Sequence, residues 1–248
     1  MSRKVILGFA LFAAAFFFGV VWFHPWLALA VLFCSHMLML FPTLVANCQW
    51  WGPVVRRFET PRREVWLTID DGPNAHTAEV LDLLARFEAK ATFFVIGKHA
   101  QEFPAALDKI RAAGHEIGNH TCTHPSKTFW AFSTSRMAAE IDRFPIASRF
   151  FRAPAGLKNW LLHPLLAQRG MDLIGWTVRG LDTVSSDSAA VVERIRRKLQ
   201  PGAIVLLHEG EREFYRQCLE QTLLCLTNEG YRCVLPTPEQ LRPRAGEK

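Results

Sequence analysis

Two long apolar runs open the chain, and a different rhythm follows them. No charged residue occurs between residues 5 and 23, and after His24-Pro25-Trp26 a second uncharged run covers residues 27–46. Each is near the ~20 residues that carry a helix across a bilayer. From Glu64 onward the apolar positions come in short blocks, separated by longer stretches with helical spacing. The pattern predicts strands over 65–69, 91–96, 115–118, 150–152, 173–177, 203–208 and 231–235, and helices over 75–88, 101–113, 136–142, 161–168, 189–199 and 212–228. Such βα alternation implies parallel strands inside and helices outside, an α/β fold. Thr237-Pro238-Glu239-Gln240 has the form of a capping box opening a short last helix. The expected organisation is a membrane anchor over 1–48, a basic juxtamembrane linker over 49–63 and one α/β domain over 64–248.

In the first run, Ala13-Ala14-Ala15 lies inside the apolar stretch, not at its end as a cleavage site would. A second run follows at once, which favours a transmembrane helical hairpin with a proline-containing turn. One span followed by a helix lying in the interface is the alternative. Arg3 and Lys4 precede the first run, Arg56, Arg57, Arg62 and Arg63 follow the second, and the turn between them has neither lysine nor arginine. With two spans, the positive-inside rule puts both ends, and the α/β domain, on the cytoplasmic face of a bacterial-type inner membrane. With one span the domain lies outside. Trp50 and Trp51 fit the interfacial belt, and membrane lipids are the first expected partner.

A net charge of +6 suits anionic lipids or phosphorylated substrates. No base-stacking platform accompanies that charge, so nucleic acid is not an expected partner. None of the six cysteines forms a CxxC pair, and free thiols are expected.

The chemistry starts where the first predicted strand ends, at Thr68-Ile69-Asp70-Asp71-Gly72-Pro73. Adjacent carboxylates repel unless a cation or proton lies between them. His120 and His124 are four residues apart, so on one helical turn their imidazoles converge on a metal. With Asp71 they make a two-histidine, one-carboxylate set, suited to zinc and also to ferrous iron. Such an ion lowers the pKa of its water toward ~7, and Asp70 stands next in the chain to take the proton. Arg152 ends a short strand before Ala153-Pro154-Ala155-Gly156 and is expected to hold the Asp70 carboxylate, keeping it ionised and oriented. His208 closes the buried strand Ile204-Val205-Leu206-Leu207 and suits a general acid for a leaving amine.

These motifs, in this order, resemble the polysaccharide deacetylase family, the NodB-homology or family 4 carbohydrate esterases. The resemblance covers about residues 65–234. Asp70 falls on the family's base, and Asp71, His120 and His124 on its metal ligands. Arg152 falls on the residue positioning the base, and Asp182 on the second acid of a DxxDW motif that tunes the catalytic residue. His208 ends an LxH motif that begins at Leu206. The resemblance implies a distorted (β/α)7 barrel and metal-dependent removal of an N-acyl group, usually acetyl, from an amino sugar.

Pro154, Ala155, Arg179 and Leu206 are then the expected substrate-binding positions, with the Ala155 N–H available to an oxyanion. Arg179 replaces the first acid of DxxDW, Thr183 replaces its tryptophan, and Ala155 stands where many members carry an aromatic residue. These changes imply a wider site and a possible acidic group on the substrate. A membrane-anchored metal-dependent deacetylase, with a divalent ion (zinc first), is the expected function. Its substrate is expected to be an N-acylated amino sugar in a lipid-linked glycan, or wall polymer if the domain faces the periplasm. A silent glycan- or lipid-binding module and an O-acetyl esterase are the rivals.

Overall fold

The computed structural model describes residues 3–210 and 212–241; the last stretch of the expected catalytic domain, 242–248, lies outside them. Two helices come first, α1 (Arg3–Val20) and α2 (Pro25–Leu44), packed against each other. By length and composition α2 can cross a membrane, and the apolar part of α1, Leu7–Val20, is shorter. Phe18, Trp22, Phe23 and Trp26 around the turn between them are exposed.

Then follow β1 (Glu64–Asp70), α3 (Thr77–Arg86), β2 (Ala91–Val95), α4 (Gly97–Glu102), α5 (Pro104–Ala112), β3 (Glu116–Asn119), α6 (Thr134–Asp142), β4 (Phe150–Phe151), α7 (Leu162–Gln168), β5 (Asp172–Leu173), β6 (Val178–Arg179), α8 (Ser188–Arg196), β7 (Ala203–His208), α9 (Glu213–Asn228) and β8 (Arg232–Cys233). The strands pair in parallel in the order β5-β4-β3-β2-β1-β7-β6, with β8 beside the start of β1. This is a curled, incompletely closed α/β barrel, the distorted barrel expected.

β1 shows why the site lies where it does. All seven of its residues are buried, so hydropathy alternation is absent and the strand reads as a continuous run. Val65, Leu67 and Ile69 face the helices, packing with Leu84, Ile110 and Leu223. Trp66 faces the barrel interior with Phe94, Phe150 and Ile204. Thr68 and Asp70, in phase with Trp66, continue that interior row toward the C-terminal rim. β7 repeats the division, with Val205 and Leu207 outward and Ile204 inward.

Four stretches differ most from the expected pattern. The strand expected over 173–177 breaks after Leu173, because the chain must cross the open side of the barrel before Val178–Arg179 pairs with β7. Residues 120–124 form no helical turn: Thr121 and His124 adopt left-handed backbone conformations (φ 69° and 52°) in a loop after β3. The stretch expected to be a linker is built into the barrel. The Val55 N–H donates to Leu173 O and its carbonyl accepts from Gly175 N, while Phe58 N donates to Gly202 O. Residues 55–58 thus span the gap between β5 and β7. Gly202 has φ 79°, and a Cβ there would lie 1.9 Å from Phe58 O, so only glycine admits this closure. At the C-terminus Thr237 N donates to Gln240 Oε1, and a single 3-10 turn, Glu239–Leu241, replaces the expected helix.

Candidate active site

Asp70 is the last residue of β1, and its register partner on β7 is His208. Both line a cavity of about 230 Å³ at the C-terminal rim, together with Asp71, His120, His124, Ala155, Trp176, Arg179 and Leu206. Of the sequence-predicted residues, Arg152 and Asp182 stand behind this wall instead, and Pro154 is buried in the turn before Ala155.

Asp71 leaves the strand with φ 76°, a conformation aspartate tolerates better than most residues. Its Oδ1 lies 3.5 Å from His120 Nε2 and 3.3 Å from His124 Nε2. The three ligand atoms lie within 4.8 Å of one another. Two donors each at ~2.0–2.1 Å from one tetrahedral ion stand about 3.3 Å apart, close to the two distances from Asp71 to the imidazoles. Asp71 Oδ1 is moreover buried without a hydrogen-bond partner, an arrangement that a cation would complete.

The imidazoles are in the right form for it. The Arg152 carbonyl accepts from His120 Nδ1 at 2.8 Å. A carbonyl can only accept, so Nδ1 carries a proton, and in the neutral ring Nε2 then turns its lone pair toward Asp71. Burial, aided by the neighbouring His120, pushes the His124 pKa down to about 4, leaving that ring neutral at physiological pH. Burial raises the Asp71 carboxyl, but the His120, His124 and His208 imidazoles outweigh it and hold the group well below the usual carboxylate range. The donor set therefore fits a divalent ion. What brings the histidines together is the loop with its two left-handed residues, not the helix face expected.

Arg152 is fully buried and spends its donors on four acceptors. Nη1 donates to Asp70 Oδ1 (2.7 Å) and Thr68 Oγ1 (2.8 Å), Nη2 to Gly175 O (2.9 Å) and Nε to Ile174 O (3.3 Å). The guanidinium lies 4.0 Å over the Phe94 ring. Asp70 is thereby fixed through Oδ1, while Oδ2 lies 3.7 Å from His120 Nε2 on the ligand side.

His208 is held twice by Asp182. Oδ1 accepts from the ring Nδ1 at 2.9 Å, and Oδ2 accepts from the His208 backbone N–H at 2.7 Å. Burial lowers the His208 pKa, but the Asp182 carboxylate prevails and raises it above the ordinary histidine value. The imidazolium is thus favoured, with Nε2–H left to donate.

Sequence reasoning missed Trp176, which lines the cavity and lies beside Arg152. It also missed Lys158, whose side chain is buried and whose Nζ donates to Val45 O and Ala46 O, the carbonyls just after α2. Thr43 O accepts from Lys158 N, and Trp176 O accepts from Asn47 Nδ2. Gly156, in the cavity wall at φ 72°, would place a Cβ 2.4 Å from Ala46 Cβ. The end of α2 therefore rests directly on the catalytic wall. No local pattern signals this, because each contact joins segments far apart in the chain.

Residues 57–174 match the family model described as polysaccharide deacetylase. The chain is 38% identical over 164 residues to a chitooligosaccharide deacetylase of Sinorhizobium fredii, spanning 63% of this chain and 76% of that protein. It is 32% identical over 193 residues to a peptidoglycan-N-acetylglucosamine deacetylase of Bacillus cereus, spanning 71% and 89%. A family 4 carbohydrate esterase from Streptomyces lividans, solved in complex with acetate, superposes with a TM-score of 0.66 at 26% identity, covering 75% of this chain and 99% of that one.

Proposed function

Since this chain belongs to the polysaccharide deacetylase family, we propose that it hydrolyses a small N-acyl group, acetyl first, from a lipid-linked amino sugar at a membrane. It is a carbohydrate N-deacetylase by family. Metal dependence and the lipid-held substrate are our reading. One observation carries the metal-dependent reading: Asp71, His120 and His124, from two separate loops, converge in one cavity whose wall also presents Asp70 and His208.

A divalent ion held by those three residues, zinc being the best fit, would supply Lewis acidity at the acyl carbonyl and to water. The remaining work falls to the chain. Asp70, clamped by Arg152, presents one free carboxylate oxygen to accept a proton from the attacking water. The N–H of Ala155, in a turn held at φ 52°, is the backbone donor proposed for the developing oxyanion. His208, kept as imidazolium by Asp182, gives its Nε2 proton to the departing amine. Asp70 and His208 stand side by side on adjacent strands, so one bound amide can meet both.

The membrane-held substrate is supported by α2. A helix long and apolar enough to cross a bilayer, Pro25–Leu44, is followed at once by Ala46 and Asn47, which meet Gly156 and Trp176, two residues of the cavity wall. If α1 and α2 form a transmembrane hairpin, the basic residues at both ends put the domain on the cytoplasmic side. A glycan head group borne on a lipid then reaches the cavity without leaving the surface.

The test uses the full chain in detergent or nanodiscs. Loaded with zinc, it should release acetate from N-acetylated oligosaccharide and from a polyprenyl-linked N-acetylamino sugar, faster from the latter. Asp70→Asn should lose more than a hundredfold in turnover, in line with general-base removal, while retaining the ion. Undiminished turnover in that variant refutes the mechanism, and a preference for soluble polymer refutes the membrane-held substrate.

A further inference from the structure

Arg179 sits where the family motif carries an acid, and the structure gives it no internal task that needs a charge. It ends β6, pairs in register with Leu206 on β7, and lines the catalytic cavity. Its recorded hydrogen bond is a long one, Nη2 to Thr183 Oγ1 at 3.3 Å. Its Nε is buried without an acceptor. The carboxylates around the site face other groups: Asp182 is bonded by His208, Asp70 by Arg152, and Asp71 faces the two imidazoles. A buried donor left without an acceptor is destabilising, the more so when the group is charged. An arginine kept in that condition in a cavity wall is poised for a ligand that supplies both acceptors and negative charge. Guanidinium matches phosphate in just that way, through paired N–H···O bonds.

We infer that Arg179 receives a phosphate carried by the substrate on the anomeric oxygen beside the acylated nitrogen. This deepens the deacetylase reading and rests on it. Arg179 lines the same cavity as Asp70 and His208, so the anion it receives is carried close to the acylamino group. In a 2-acylamino sugar 1-phosphate the two groups are vicinal, and one ring places the amide at Asp70 and His208 and the phosphate at Arg179. Thr183, where the motif has tryptophan, contributes a hydroxyl beside the guanidinium in place of an apolar wall.

The test is a calorimetric titration of the full chain, stripped of metal, with N-acetylglucosamine 1-phosphate and with its neutral methyl glycoside. The unmodified chain should bind the phosphate at least tenfold more tightly. Arg179→Gln should erase that ratio, and Arg179→Lys should keep part of it, since the charge remains but the fork does not. Equal binding of the two sugars by the unmodified chain overturns the inference, as does a ratio that survives in Arg179→Gln. A third arm, the same head group on a polyprenyl phosphate in nanodiscs, separates a lipid-borne phosphate from a free sugar phosphate. Retention of the ratio there, with tighter binding than the soluble sugar, supports a lipid source; no gain over the soluble sugar supports a free one. Because these titrations read binding, failure of the metal-loaded chain to release acetate would count against the deacetylase reading and leave the role of Arg179 separately measured.

Discussion

Replacing Arg152 by methionine tests whether the base and its clamp act as one buried unit. Arg152 and Asp70 are 1% and 2% exposed, and their closest approach is 2.7 Å. Removing one partner of such a pair leaves the other as an uncompensated buried charge, which costs ~3–5 kcal/mol. The Thr68 hydroxyl and the Ile174 and Gly175 carbonyls lose a donor as well. For a domain of this size ~1 kcal/mol corresponds to ~2–4 °C, so Arg152→Met should lower Tm by about 6–20 °C. Asp70→Asn strands the guanidinium and should also destabilise. The double variant restores neutrality, so its cost should fall short of the sum of the single costs by at least ~2 kcal/mol, within the range measured for contacting residues. The assay is thermal and urea denaturation of the full chain in detergent, followed by tryptophan fluorescence. Additivity within ~0.5 kcal/mol, the behaviour of independent sites, would refute the coupling and the claim that Arg152 positions Asp70.

Asp182→Asn removes the carboxylate that raises the His208 pKa. Activity needs the imidazolium and is lost as pH rises through that pKa, so the alkaline limb of the kcat profile should move to lower pH. The stability His208 contributes has the same sign: present below the unfolded value of 6.5 and lost as pH rises through the raised folded value; an unmoved limb excludes His208 as the acid. Lys158→Met leaves the Val45 and Ala46 carbonyls without their lysine donor, at ~1–3 kcal/mol for each group left unsatisfied. It should lower Tm and reduce kcat/KM on a nanodisc-borne substrate more than on a soluble one; equal losses on both would separate α2 from substrate delivery.

The strands that were legible are those whose two faces are both buried, β1, β2 and β7, and in β1 and β7 the run ends at a rim residue carrying chemistry. The site was legible because each motif closes such a strand or opens the loop after it, and the barrel brings those ends together. Its local geometry was not. A four-residue spacing predicts convergence of His120 and His124 only through a helix, yet the same convergence arises from a loop with two left-handed residues. The break after Leu173 was invisible because Ile174, Trp176 and Thr177 suit a strand equally well, and only the gap in the sheet ends it. Trp176 and Lys158 carry no local signal, since their partners lie on β4's rim and at the end of α2.

The basic stretch before Glu64 shows how composition misleads about architecture. Arg56, Arg57, Arg62 and Arg63 look like a solvated tether, and their charges do lie largely outside. The backbone between them nevertheless meets the sheet on two sides, at Leu173 and Gly175 on one and at Gly202 on the other, with Phe58 buried beneath. Cutting the chain at Glu64 would therefore expose those backbone groups and uncover the Phe58–Trp66–Ile204 cluster directly below the Thr68–Arg152–Asp70 row. The end of α2, the residues just after it and the cavity wall form one continuous packing path: α2 to Ala46, Ala46 to Gly156, Gly156 to the cavity. The end of α2 is thus tied to the same contacts that shape the site, and under the proposed reading, in which α2 crosses a membrane, those contacts would mount the cavity at the bilayer surface.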